Sequence, residues 1–187
     1  FIRFLCPVAQ RVLGGKGPAW QVDNVLRVYR KVEPGLIRVY ADEVTYPLHV
    51  ILRYKLEKAI ISGDLQTQEL PGAWNDSMEA LLGVRPTDDT DGVMQDVHWP
   101  EGLFGYFPTY SLGAMAAAQI FAAAKKDNAS ILPGLATGDF SPLFGWLDQQ
   151  IRSKGCLYMP NELIEHATGS SLGTQAYKAS ITERYLT

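Results

Sequence analysis

The sequence predicts an all-α fold, on three observations. Nearly every apolar segment repeats at helical spacing. No stretch alternates apolar and polar residues as a half-buried strand would. Glycine or proline stands at most places where a periodic stretch begins or ends. In chain order, Ile2–Leu13 is apolar and stops at Gly14–Gly15. Trp20–Val32 sets Val22, Val25, Leu26 and Tyr29 on one stripe and halts at Pro34–Gly35. Leu36–Tyr40 is β-branched and extended, enough for one short strand or a straight loop. Asp42 is placed to cap a long helix reaching Ser62, with Gly63 at the left-handed stop. Pro71 opens a helix that ends near Gly83. Arg85–Pro108 reads as a loop of roughly two dozen residues, a length uncommon unless the loop has a function. Ser111–Lys126 is an Ala-rich helix, and Ser141–Pro142 start another that runs to Lys154 with Gly155 as its stop. Asn161–Thr168 and Gln175–Tyr185 complete the chain. There is no internal repeat and no dividing linker, so residues 1–187 read as part of one helical domain.

Composition narrows the class. The chain has 187 residues, 47% apolar and 20% charged, an ordinary globular mix with room for a sizeable core. Seventeen basic and twenty acidic residues give a net charge of −3 with no basic run, which excludes nucleic acid as the expected partner. Cys6 and Cys156 form neither a CxxC pair nor a disulfide framework. A reducing setting, cytoplasmic or an organelle interior, is therefore expected rather than secretion. The longest apolar stretch, Leu112–Ala124, is too short to span a bilayer. The chain opens on Phe1 with no signal-peptide layout, and we expect it to be a piece of a longer protein.

The most informative segment is Gly92–Trp99, GVMQDVHW, followed by PEGLFGYFPTYSLG. It gathers Gln95, Asp96, His98, Trp99, Tyr106 and Tyr110 between glycines and prolines just before the Ala-rich helix. Such groups at a loop-to-helix junction suit a catalytic cleft. They equally suit an aromatic loop plugging a core with its polar groups satisfied internally. Asp42, Tyr46, His49, Arg53 and Glu57 recur at spacings of four and three and so share one helix face. That face is either the wall of a polar cleft or a solvated face with weak ion pairs, the latter expected first for Glu57. Arg38, in IRVYAD, could present its fork to a carboxylate or bridge to Asp42.

Several chemistries lack their signatures. His49, His98 and His166 are never three to five residues apart, and there is no H-E-x-x-H, so no metal ligands are expected in this chain. No glycine run fits a phosphate cradle, and no G-x-S-x-G elbow is present.

Two motifs carry a resemblance. Ile37-Arg38-Val39-Tyr40-Ala41-Asp42 fits I/V-R-x-x-A-D, and Gly92–Trp99 fits G-x-x-Q-D-x-H-W. With KVEPGLIRVYADEVTYPLHVILRYKLE, GLFGYFPTYSLG and GDFSPLFGWL, the whole chain resembles the thermostable carboxypeptidases, family M32 of the zinc metallopeptidases. The resemblance implies an almost wholly helical, cleft-forming fold, commonly homodimeric. It also implies removal of single residues from peptides with a free carboxyl terminus. Zinc, or a similar divalent metal, would be held by H-E-x-x-H and a following H-E-S/G-Q glutamate, none of which is present here. By resemblance the chain is the carboxyl-terminal portion, separated from its zinc-binding part and inactive alone. Arg38 and Gln95 would bind substrate, with Arg38 receiving its carboxylate. His98, Tyr106 and Tyr110 would be catalytic, holding the scissile carbonyl or tetrahedral intermediate. Asp42, Asp96 and Trp99 would orient them. Two competing readings remain: a non-catalytic descendant serving as a structural subunit of a larger assembly, and a plain helical binding module.

Overall fold

The structure, a computed structural model, describes residues 1–186. The α-helices run α1 (Ile2–Leu13), α2 (Val22–Tyr29), α3 (Tyr46–Ser62), α4 (Leu70–Leu82), α5 (Pro108–Asp127), α6 (Ile131–Thr137), α7 (Ser141–Gln150), α8 (Pro160–Thr168) and α9 (Gln175–Tyr185). Short 3-10 turns stand between several of them. Among the described residues there is no strand, as the all-α expectation required. No helix among them is long and apolar enough to cross a membrane.

The described residues form two compact units, residues 31–113 and residues 1–30 with 114–186. In the first, α3 packs on α4. Leu70, Trp74, Met78 and Leu82 recur every fourth residue, so they form one stripe along α4, and all four are buried. Leu52 and Leu56 of α3 meet that stripe, with Leu36, Leu48, Ile60, Val93 and Trp99 around it. Each fully buried side chain among these contributes roughly 1.5–3 kcal/mol of transfer free energy. Gly63 and Gly83 end the two helices in the left-handed conformation. The α3 helix has no single apolar side: His49, Arg53 and Glu57 are buried as fully as Leu52 and Leu56.

In the second unit, Ala124, Ile131, Trp146 and Ala167 form the buried centre, joined by Ile120, Phe121, Leu135, Leu143 and Leu147. Gln119 is buried and binds the turn after α8: its amide nitrogen faces Thr168 Oγ1 and the Ser170 and Ser171 carbonyls, and its oxygen accepts from Gly173 N. Gly138 lies against the Phe4 ring; an added Cβ would come within 2.3 Å of it.

Several boundaries differ from the sequence expectation. The segment expected as extended at Leu36–Tyr40 instead makes a 3-10 turn at Arg38–Tyr40, with extended backbone at the flanking Ile37 and Ala41. Its Tyr40 and Ala41 amides bond locally to Ile37 and Arg38, which leaves no ladder to build. The long helix begins at Tyr46 rather than directly after Asp42. Pro47 has no N–H to continue an α-helical ladder backward, so the intervening residues form a separate turn. The helix expected over Trp20–Val32 is α2, ending at Tyr29, preceded by a 3-10 turn at Pro18–Trp20. The α5 helix starts three residues earlier than expected, at Pro108, and α7 ends at Gln150 before a 3-10 turn at Arg152–Lys154. The α6 helix was not expected; Pro133 sits in its first turn, where its missing N–H costs nothing.

Candidate functional site

The site lies within the first unit and is built by four stretches: the Arg38–Tyr40 turn, the polar face of α3, the loop from Asp91 to Phe107, and Tyr110 in the first turn of α5. Its centre is Asp96. Asp96 Oδ1 accepts from Arg38 Nε at 3.0 Å and Nη2 at 2.6 Å, and Oδ2 accepts from Arg53 Nε at 2.6 Å. Burial pulls this carboxyl upward, but the two guanidiniums outweigh it and hold the pKa below the usual carboxylate range.

Gln95 completes the clamp. Its Oε1 accepts from Arg38 N at 2.9 Å and Arg53 Nη2 at 2.8 Å, and its Nε2 donates to the Leu36 and Asp91 carbonyls. Both ends of the amide are thus engaged with protein. Arg53 is wholly buried, donates also to the His49 carbonyl, and lies 4.5 Å from the centre of the Trp74 ring. Burial pushes its pKa down to about 10, against the pull of Asp96.

Arg38 does not bridge to Asp42. Besides Asp96, it donates through Nη1 to Tyr46 Oη at 2.8 Å. Burial disfavours its charge, but Asp96 and Tyr46 more than offset this and raise its pKa. These bonds use three of the five guanidinium hydrogens, so one hydrogen on each terminal nitrogen is not used by them. The Tyr110 ring lies 4.9 Å from the guanidinium carbon.

His98 stacks on the buried Phe107 ring at 4.2 Å, and its Nε2 is 2.9 Å from Tyr110 Oη. Its Nδ1 is buried, 3.8 Å from Asp96 Oδ1, and makes no hydrogen bond. Burial lowers the His98 pKa, with the two arginines adding to it and Asp96 and Glu57 opposing. The Tyr110 pKa is raised, by desolvation first. Tyr106 packs edge-on against Tyr110, its centroid 5.5 Å away, and is 45% exposed; it is the open side of the aromatic group.

Asp42 and Trp99 act at a remove. Asp42 Oδ1 accepts from Val44 N and Thr45 N, and Oδ2 from Glu33 N and Thr45 Oγ1. Burial works upward on its pKa, but these donors prevail and lower it. Trp99 donates from Nε1 to Glu57 Oε2 at 2.8 Å and meets Trp74 and Phe107 edge-on. His49 is wholly buried; burial, then Arg53 and Arg38, push its pKa down to about 4, against the upward pull of Asp96 and the Gly35 backbone.

The structure thus brings together Arg38, Gln95, Asp96, His98 and Tyr110, with Tyr106 at the margin, while Asp42 and Trp99 support the elements that carry them. The polar face of α3 is buried, not solvated, and this corrects the expectation for Glu57. Four contributors were not among the expected site residues. Tyr46, Arg53 and Glu57 were visible only as members of a polar helical stripe, which periodicity cannot orient without knowing what covers it. Phe107 had no signal beyond its place in an aromatic-rich loop. As for metal, among the described residues no group of three or more His, Cys, Asp or Glu side chains could hold one, so the residues present do not fit a metal centre of their own.

The chain is similar to known proteins along most of its length. The chain is 46% identical over 154 residues to thermostable carboxypeptidase 1 of Thermus thermophilus, covering 82% of the chain and 30% of that protein. It is 38% identical over 164 residues to thermostable carboxypeptidase 1 of Pyrococcus furiosus, covering 88% of the chain and 33% of that protein. The chain therefore spans about a third of the length of these curated relatives. The solved structure of Trypanosoma cruzi metallocarboxypeptidase 1 superimposes with a TM-score of 0.93 at 38% identity, over 100% of this chain and 39% of that one. The family profile described as Carboxypeptidase Taq (M32) metallopeptidase matches residues 1–185, and the chain belongs to that family.

Proposed function

We propose that this chain supplies the substrate-facing side of a metal-dependent carboxypeptidase that removes single residues from peptides with a free carboxyl terminus. The observation that carries the reading is Arg38. Its guanidinium is fixed by Asp96, Tyr46 and the Gln95-bound backbone, and it borders the His98–Tyr110 pair. A planar fork with hydrogens to spare is the group that recognises a terminal carboxylate by two parallel bonds. Tyr110, hydrogen-bonded to His98, and Tyr106 beside it then offer polar groups to an oxygen that gains charge during acyl transfer. Arg38 is the substrate-binding residue, and Gln95 contributes through it, by accepting its backbone N–H. His98, Tyr106 and Tyr110 are the catalytic contacts. Asp96, Asp42 and Trp99 hold these groups in place.

The metal, zinc or a similar divalent ion, would be held by residues outside this chain, in an amino-terminal part of the same enzyme. Bound there, it would supply the Lewis acid and activated water of peptide hydrolysis. We further infer that the chain is the carboxyl-terminal portion of one helical catalytic domain in a homodimer. A reducing setting fits the two free cysteines, Cys6 and Cys156.

The deciding experiment compares the native, metal-loaded protein on a peptide with a free carboxyl terminus and on its carboxyl-amidated twin. Release of single residues from the free peptide alone is expected. Equal cleavage of both, or of neither, would reject the reading. The intact mass of the native polypeptide, set against 20.7 kDa for this chain, tests whether a metal-holding part accompanies it.

A further inference from the structure

The polar face of α3 holds a buried carboxylate that the proposed reaction does not use. Glu57 is 6% exposed. Among the described residues no ion pair compensates it; its partners are two neutral donors, Trp99 Nε1 on Oε2 and Gly105 N on Oε1. These lie at opposite ends of one turn. Within that turn, Glu101 N bonds to Val97 O, Gly102 N to Trp99 O, and Leu103 N to His98 O, which closes only its first part. The returning arm of the turn is tied through Gly105, a left-handed residue at φ +79° whose amide donates to Glu57. The next residue is Tyr106, whose ring centroid is 5.5 Å from those of His98 and Tyr110.

The chemistry of the partners suits a carboxylate. Both groups facing Glu57 are donors, and a carboxylate offers an acceptor at each end without bringing a hydrogen of its own. A glutamine of the same shape would set its NH2 against one of the two N–H groups. Keeping an uncompensated carboxylate buried costs stability, so it is the arrangement of the turn rather than stability that accounts for it.

We propose that Glu57 is a positioning residue: its carboxylate joins the two ends of the Trp99–Gly105 turn and thereby fixes Tyr106 beside His98 and Tyr110. This rests on the functional reading above, in which Arg38 binds the ground-state carboxylate and the aromatic groups act on the transition state. Loss of the latch therefore lowers kcat and leaves KM nearly untouched.

The test uses the native, metal-loaded protein with E57Q, a peptide with a free carboxyl terminus, and hydrogen exchange read by mass spectrometry. The expected result is a fall in kcat of about tenfold or more, with KM within roughly twofold. Amide exchange over residues 99–106 should rise by about tenfold or more while that of α4 stays unchanged. Unchanged exchange over 99–106, or a loss carried by KM, would overturn the proposal. If E57Q does not fold, E57D, one methylene shorter with the charge kept, takes its place with the same two readouts. Absence of turnover by the unsubstituted protein would sink the functional reading, and the exchange comparison then decides the latch by itself.

Discussion

Two titratable side chains in one small cluster respond to acid in separate windows. His49 is buried beside Arg53, Arg38 and Asp96, and its folded pKa is pushed down from 6.5 to about 4. Above pH 6.5 it is neutral in both the folded and unfolded chain and has no effect on stability. Between pH 6.5 and about 4 the unfolded chain takes up a proton that the folded one refuses, so stability falls as pH falls. Asp96 has a folded pKa below its usual 3.8, so its contribution is present above that value and is lost only in stronger acid. Replacing His49 with leucine should therefore flatten the decline of unfolding free energy between pH 6.5 and about 4, by up to one bound proton, and leave the more acidic limb in place. Urea denaturation across that range measures it; an unchanged slope would mean that His49 is not held neutral. How much of this was legible in the sequence follows from the same residues. The two motifs named Arg38, Gln95, Asp96 and His98 as companions, and the structure puts them in contact. That Arg38 bonds Asp96 rather than Asp42 was not legible, because both aspartates lie within motifs and only the path of the loop decides between them.

At the scale of elements, the least regular piece positions the most. Asp42 stands four residues before α3 and closes the turn that leads into it, with four donors on its carboxylate. Pro47 interrupts the backbone ladder at this point, so the side chain supplies what the helix cannot. Replacing Asp42 with alanine should cost about 1 kcal/mol, and at most ~2, of unfolding free energy. The substitution should loosen Glu33–Thr45 without disturbing α4. A denaturant midpoint with hydrogen exchange over those segments checks both parts. Helix ends set by glycine, as at Gly63 and Gly83, were readable because only a left-handed residue ends a helix that way. The Arg38–Tyr40 turn was not: Ile37, Val39 and Tyr40 favour extended backbone, and local amide bonds plus the Gln95 grip on Arg38 N override that preference.

Across the whole molecule, contacts divide by their reach along the chain. The α3–α4 pair is close in sequence and makes its own apolar core. The site is the opposite: Arg38 meets Asp96 across 58 positions, and Arg53 meets it across 43. Sequence periodicity reads short-range order well and gives no distance between segments, which is why the helices were legible and the burial of α3's polar face was not. Closing such long loops costs chain entropy before any ion pair rewards it. On this ground we expect the Asp96 cluster to assemble after the α3–α4 pair, on the native side of the folding barrier. Asp96→Asn should accelerate unfolding, since it leaves two guanidiniums buried without their shared carboxylate, and should leave the folding rate nearly unchanged. Stopped-flow folding and unfolding limbs separate the two, and a slowed folding limb would place the cluster in the nucleus instead. With that order, the α3–α4 core would already be in place when Arg38 is committed to its partners, so the substrate-facing cation would be set on a finished support.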